Sequence, residues 1–171
     1  FVENGSPTQK EAFDRFAWES GAWLHDYARF MALKDAHGGA PWYQWPAELK
    51  AYRQDALATW EKAHQNEVLT HKFIQYLFFR QWSAVHQHAK EHDVRIMGDI
   101  PIFVAYDSCD VWANRHIFQL DEAGRPTVVA GVPPDIYSAT GQLWGNPLYR
   151  WDRLAAEGYR WWVERFRATL Q

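Results

Sequence analysis

Apolar residues recur at three- and four-residue steps through the first half of the chain. Phe13, Phe16 and Ala17 begin such a period, and Trp23, Leu24, Tyr27, Ala28, Met31 and Ala32 continue it. Ser6-Pro7-Thr8 ahead of it is a helix start, and His37-Gly38-Gly39 a stop. Gly21 weakens the interior of the helix so predicted. Pro46 opens a helix through Leu49 and Tyr52, and another is predicted from Leu57 to about His64. The clearest stripe is Ile74, Leu77, Phe78, Gln81, Trp82, Val85 and Ala89, widened by Phe73, Tyr76 and Phe79. It predicts a helix over Gln65–Glu91 with two buried faces.

The pattern changes near residue 94. Val94 to Ala105 reads VRIMGDIPIFVA, a short apolar run that predicts a strand buried on both faces, as in parallel sheets. Helix followed by such a strand is an α/β signature. Asp121–Gly124 reads as the turn of a small hairpin between Phe118–Leu120 and Thr127–Ala130. Gly131–Tyr149 carries no periodic signal, and a loop of that length is uncommon unless it is functional. A last helix is predicted from Trp151 to Leu170, just short of the final residue, Gln171. The chain thus divides into a mostly helical part, 1–93, and a part with strand, long loop and helix, 94–171.

Composition narrows the function classes. The 171 residues carry 18 Lys and Arg against 21 Asp and Glu, a formal charge of −3. That excludes the basic excess needed for nucleic-acid or anionic-membrane binding. No apolar run is long enough to span a bilayer. One cysteine, Cys109, forms no internal disulfide, which fits a reducing, cytoplasmic setting. The first residue is Phe1 rather than Met, so a cleaved or excised piece is expected. Eleven tryptophans imply a large aromatic core, a stacking surface for ring-shaped ligands, or both.

Candidate chemistry gathers in the second part. Asp99 lies inside the predicted strand, where a carboxylate is costly without partners. It reads as a functional group at a strand end or as a structural cap. Asp107 and Ser108 suit the N-cap of a short helix, and Cys109 lacks a basic neighbour and reads as packing. Tyr137 follows two stiffening prolines and could stack on a ligand. Gln142, Trp144 and Asn146 stand at spacing two, which in an extended segment puts a ring between two amides on one side. This suits a sugar, or a loop pinned to its own protein by Trp144. His88 and His92 share a helix face without a third ligand, so no metal site is expected.

Gly98 to Ala113, GDIPIFVAYDSCDVWA, closely resembles a hallmark of the 4-α-glucanotransferases, the amylomaltase or disproportionating-enzyme family. Val129 to Trp151, VAGVPPDIYSATGQLWGNPLYRW, is similar to that family's long active-site loop. WLHDYARFMALKDAHGGAPWYQWP and HKFIQYLFFRQW resemble it too, so the likeness runs from about Phe13 to Leu170. The resemblance implies a fragment of a decorated (β/α)8 barrel, helix-rich and with a helical insertion. It implies transfer of α-1,4-glucan segments between maltodextrins with retention, through a carboxylate nucleophile and a second carboxyl as acid/base, without metal or organic cofactor. It assigns Asp99 to the sugar at the cleavage point, and Asp135, Tyr137, Gln142, Trp144 and Asn146 to a loop beside the donor and acceptor sugars. Ile136 stands where the family usually has an aromatic, and Cys109 where a small residue is usual. The family's Arg-x-Asp-His-Phe-Arg motif, which supplies the nucleophile, is absent from these 171 residues. The resemblance places the nucleophile and the acid/base beyond Gln171, so no residue here is expected to be catalytic. The alternatives are a maltodextrin-binding module and a structural piece that folds by pairing with the rest of a barrel or by self-association.

Overall fold

The computed structural model describes residues 5–169. The chain divides into two compact units, one built from the chain up to Gly39 and from Leu57–Gly98, the other from Ala40–Ala56 and from Asp99 onward.

The first unit is helical. Helix α1 (Pro7–Glu19) starts where Ser6 and Gln9 cap each other: the Gln9 amide donates to Ser6 Oγ at 3.3 Å and the Ser6 amide to Gln9 Oε1 at 3.0 Å. The chain breaks at Ser20 and resumes as α2 (Gly21–Ala36), so the period read as one helix is two. Helix α5 spans Gln65–Glu91, the predicted limits. It packs along α2 and against α1. Phe13 of α1 meets the Phe73 and Tyr76 rings edge-on at 5.9 and 5.7 Å, while Ala28 and Ala32 of α2 close on Val68 with Trp60 beside them. Small residues on α2 allow this close approach, and aromatic rings fill the wider end. Trp60 belongs to α4 (Gln54–Ala63), which starts three residues before the expected Leu57.

The second unit is built around tryptophans. Between Pro41 and Pro46 the chain makes one 3-10 turn, Trp42–Gln44, before the short α3 (Ala47–Lys50). Trp42 and Trp112 are fully buried and Trp45 nearly so, and each indole N–H has a carbonyl: Tyr106 at 2.7 Å for Trp42, Leu49 at 2.9 Å for Trp112 and Ala40 at 3.0 Å for Trp45. Helix α6 (Cys109–Ala113) is capped by Ser108, whose Oγ accepts from the Val111 amide at 3.3 Å, as expected for this position.

Several expectations change. Val94–Ala105 is not a buried strand. It forms no ladder, and Val94, Ile96 and Ile102 are exposed, as is Met97 at 96%. An apolar run becomes a strand only where a neighbour supplies backbone partners, and among the described residues none does. The sheet present is a two-stranded antiparallel one, β1 (Val129–Val132) with β2 (Gln142–Pro147), so Gly131–Tyr149 is not structureless. The expected hairpin upstream shrinks to a bridge between Leu120 and Pro126, because Val129 and Ala130 belong to the strand that pairs with β2 instead. The last predicted helix is two, α7 (Trp151–Ala156) and α8 (Arg160–Thr169), interrupted where Gly158 and Tyr159 both take positive φ. The predicted end of that helix at Leu170 and the last residue, Gln171, lie outside the described residues. No described helix is long and apolar enough to cross a membrane.

Candidate functional site

The site residues singled out by the sequence all belong to the second unit. The β1–β2 hairpin carries five of them. Its register pairs Val132 with Gln142 and Gly131 with Leu143, then shifts to Val129 with Pro147. Trp144, Gly145 and Asn146 therefore stand opposite Ala130 alone, as a bulge. Gly145, at φ +79°, turns the chain there. The bulge undoes the simple alternation that would put Gln142, Trp144 and Asn146 on one side.

Gln142 and Trp144 are brought together. The half-exposed Trp144 donates its indole N–H to Gln142 Oε1 at 3.0 Å. An indole nitrogen only donates, so the amide oxygen must face it, and Gln142 keeps its –NH2 as a donor for other groups. Asn146 goes elsewhere: half-buried, it donates Nδ2 to the Val104 carbonyl at 2.8 Å.

The strands close over a built turn. Asp135 Oδ1 accepts from the Tyr137 and Ser138 amides, both at 2.8 Å, while Ser138 Oγ donates to the Gly141 carbonyl at 2.8 Å. The carboxylate thus shapes the turn through one oxygen, and it is exposed. The turn lifts Ile136 and Tyr137 into solvent, 91% and 88% exposed. Asp99 is exposed as well, in the irregular segment ahead of Ile102, so the desolvation argued for a buried strand does not act on it. Asp107 is used structurally, accepting from the Trp42 amide at 3.2 Å. Cys109 is half-buried in the first turn of α6. In the first unit, His92 bonds through Nδ1 to the His88 carbonyl at 2.8 Å, which closes the end of α5.

Tyr149 was not singled out by the sequence. It is buried, and its hydroxyl donates to the Ile102 carbonyl at 2.9 Å. Burial pushes this hydroxyl up to about 12, with Arg165 opposing, so it stays a protonated donor at any ordinary pH. The available signal was a tyrosine between two apolar elements, whose hydroxyl needs a partner once buried. Nearby, burial raises the Asp110 carboxyl, against the pull of Arg165 and Trp161.

The arrangement suits recognition of a polyhydroxylated ring. It offers an exposed ring at Tyr137, a half-exposed ring at Trp144, an amide at Gln142 and two exposed carboxylates. Rings cover the C–H face of a sugar, and amides and carboxylates bond its hydroxyls.

Comparison with known proteins bears on this arrangement. A family profile described as 4-alpha-glucanotransferase matches residues 1–171. A 4-alpha-glucanotransferase of Thermus thermophilus is 54% identical over 100% of this chain and 34% of its own length. One from Synechocystis sp. is 50% identical over 95% of this chain and 32% of its own. Among solved structures, the amylomaltase from Streptococcus agalactiae in complex with acarbose superposes with a TM-score of 0.89 at 33% identity, over 95% of this chain and 33% of that one. The chain therefore spans about a third of the length of the relatives it matches. With the motifs, the fold and the profile in agreement over its length, the chain belongs to the 4-alpha-glucanotransferase family.

Proposed function

We propose that this chain supplies part of the glucan-binding face of a 4-α-glucanotransferase, which moves α-1,4-glucan segments from one maltodextrin to another. The observation that carries the reading is the β1–β2 hairpin: an exposed Tyr137 on a braced turn, and a Trp144 ring locked to the Gln142 amide. Tyr137 and Trp144 would stack on glucose units. Gln142, Asp99 and Asp135 would bond hydroxyls, and Asn146, with its amide on the Val104 carbonyl, would support them from the base of the hairpin. In the whole enzyme the chain would form part of a (β/α)8 barrel, a reading supported by the match to the streptococcal amylomaltase.

Retaining transfer needs two carboxyls about 5–5.5 Å apart across the scissile bond, one as nucleophile and one as acid then base. The motif that supplies the family's nucleophile is absent from this sequence. The role left to these residues is to hold and orient the glucan, which lowers the barrier only when the carboxylates complete the site. Neither metal nor organic cofactor enters this chemistry.

Calorimetry with maltoheptaose, paired with a glucose-release assay on maltotriose, tests both halves. Binding that Trp144→Ala weakens, with no glucose released, is the expected result. Absence of binding by the unaltered chain would overturn the glucan-binding reading. Glucose release by the 171-residue chain would overturn the assignment of catalysis to residues outside it.

A further inference from the structure

Ile102, Phe103 and Val104 are held at three consecutive positions by residues of the hairpin and its exit. The Ile102 carbonyl accepts from the Tyr149 hydroxyl at 2.9 Å. The Phe103 ring lies 6.3 Å from the Trp144 ring and 6.3 Å from the Tyr149 ring, nearly parallel to the latter at 17°. The Val104 carbonyl accepts from Asn146 Nδ2 at 2.8 Å. This segment has no backbone ladder, so side chains fill bonding positions that a neighbouring strand would otherwise take. Asp99 lies three residues before the first gripped carbonyl, and Trp144 is itself one of the gripping residues.

We propose that Asn146 and Tyr149 are positioning residues that set the place of the Asp99 segment relative to the Trp144 ring. They act on the glucan through those two residues rather than by touching it. The inference rests on the glucan-binding reading above. A carboxylate and a stacking ring can serve the same glucan only if the spacing between them is held, and the grip is the local structure that holds it. Asn146 and Tyr149 are three residues apart, and the Trp144–Asn146 bulge lets the Trp144 ring reach Phe103 while Asn146 reaches Val104. Tyr149 itself is buried, so its hydroxyl keeps the Ile102 carbonyl as its partner.

The test uses the 171-residue chain with Tyr149→Phe, Asn146→Ala and the pair, and with Tyr106→Phe as a control. Tyr106 donates its hydroxyl to the Gly124 carbonyl at 2.6 Å, a bond of the same kind outside the grip. Limited chymotrypsin digestion without sugar, with Phe103 as the cleavage point, reads the grip itself. Cleavage at Phe103 is expected to accelerate about tenfold in Tyr149→Phe and in Asn146→Ala, and to stay unchanged there in Tyr106→Phe. Maltoheptaose titration is expected to show about tenfold weaker binding for each grip variant, with wild-type affinity in the control. The losses should also be non-additive with Asp99→Asn, because the residues act through one segment. Unchanged cleavage in both grip variants overturns the proposal. So does weakening of the control to the same extent, since that would mark a general loss of stability. If the unaltered chain binds no maltoheptaose, the glucan reading fails and the cleavage result alone decides whether the grip exists.

Discussion

Arg29 donates twice to one carboxylate oxygen of Glu61, from Nε at 3.0 Å and from Nη2 at 2.7 Å. Arg29 is one of the α2 residues turned inward, 7% exposed, and Glu61 sits on α4, 32 positions along the chain. The pair ties two helices of the first unit, with Asp26 3.7 Å from the same guanidinium. Removing one partner leaves a charge short of its compensation. Glu61→Gln is expected to lower unfolding stability by about 1.5–3 kcal/mol, measured by urea titration. Replacing both partners, with Arg29→Met and Glu61→Leu, should recover part of that loss. A double variant less stable than Glu61→Gln would contradict the argument.

His25 makes this cluster sensitive to pH. Its Nε2 lies 2.6 Å from Arg29 Nη2, which can only donate, so the ring nitrogen accepts and the imidazole is neutral. Burial and then Arg29 and Lys72 lower its pKa, with Glu61 and Asp26 pulling the other way. The folded state therefore binds this proton less readily than the unfolded chain. The stability it contributes is complete above about pH 6.5 and is lost as pH falls toward its lower folded value. The urea midpoint is expected to drop between about pH 7 and pH 5. His25→Gln, which can still accept from Arg29, should flatten that part of the curve. An identical slope in the variant would exclude His25 as the source.

Two glycines permit the hairpin to close. A Cβ on Gly131 would stand 2.5 Å from the Gln142 carbonyl oxygen, and one on Gly141 would stand 2.5 Å from that of Val132. Both neighbours are backbone, which cannot swing aside, and Gly141 also holds φ +74°. Each substitution to alanine is expected to cost about 1–3 kcal/mol, or several degrees in melting temperature. Glucan binding should fall with it if the turn carries Tyr137. A wild-type melting curve for Gly141→Ala would show that the strands can separate without consequence.

Helix α5 leaves one face without cover in its own unit. Ile74, Phe78, Trp82 and Val85 are all 40% exposed or more, and the Phe78 and Trp82 rings are nearly parallel. A contiguous apolar strip of this kind drives association. Sedimentation of the isolated chain is expected to show self-association that rises with concentration. Phe78→Glu combined with Trp82→Glu should return it to monomer, and a monomeric unaltered chain at high concentration would sink the expectation.

Local chemistry was legible from residue order. The limits of α5, the caps at Ser6 and Ser108 and the family motifs could all be read from the sequence. Helix bonds and caps close within three or four residues, so the information is complete in the segment itself. The interruptions at Ser20 and Gly158 were marked only by glycines, and only the folded chain shows that they separate helices.

The tertiary structure decided what depends on distant partners. The apolar pattern of Val94–Ala105 suits a strand, but a ladder requires a second chain segment that no local pattern specifies. The spacing of Gln142, Trp144 and Asn146 suits one face, yet with the shift in pairing to β1 only Gln142 and Trp144 stay together while Asn146 turns to Val104. Asn146 and Tyr149 find their carbonyls 42 and 47 positions away. The sequence thus determined the family and the residue types of the site. The fold decided which of those residues face solvent and which hold the others in place, because hydrogen-bond satisfaction is settled by the whole chain at once.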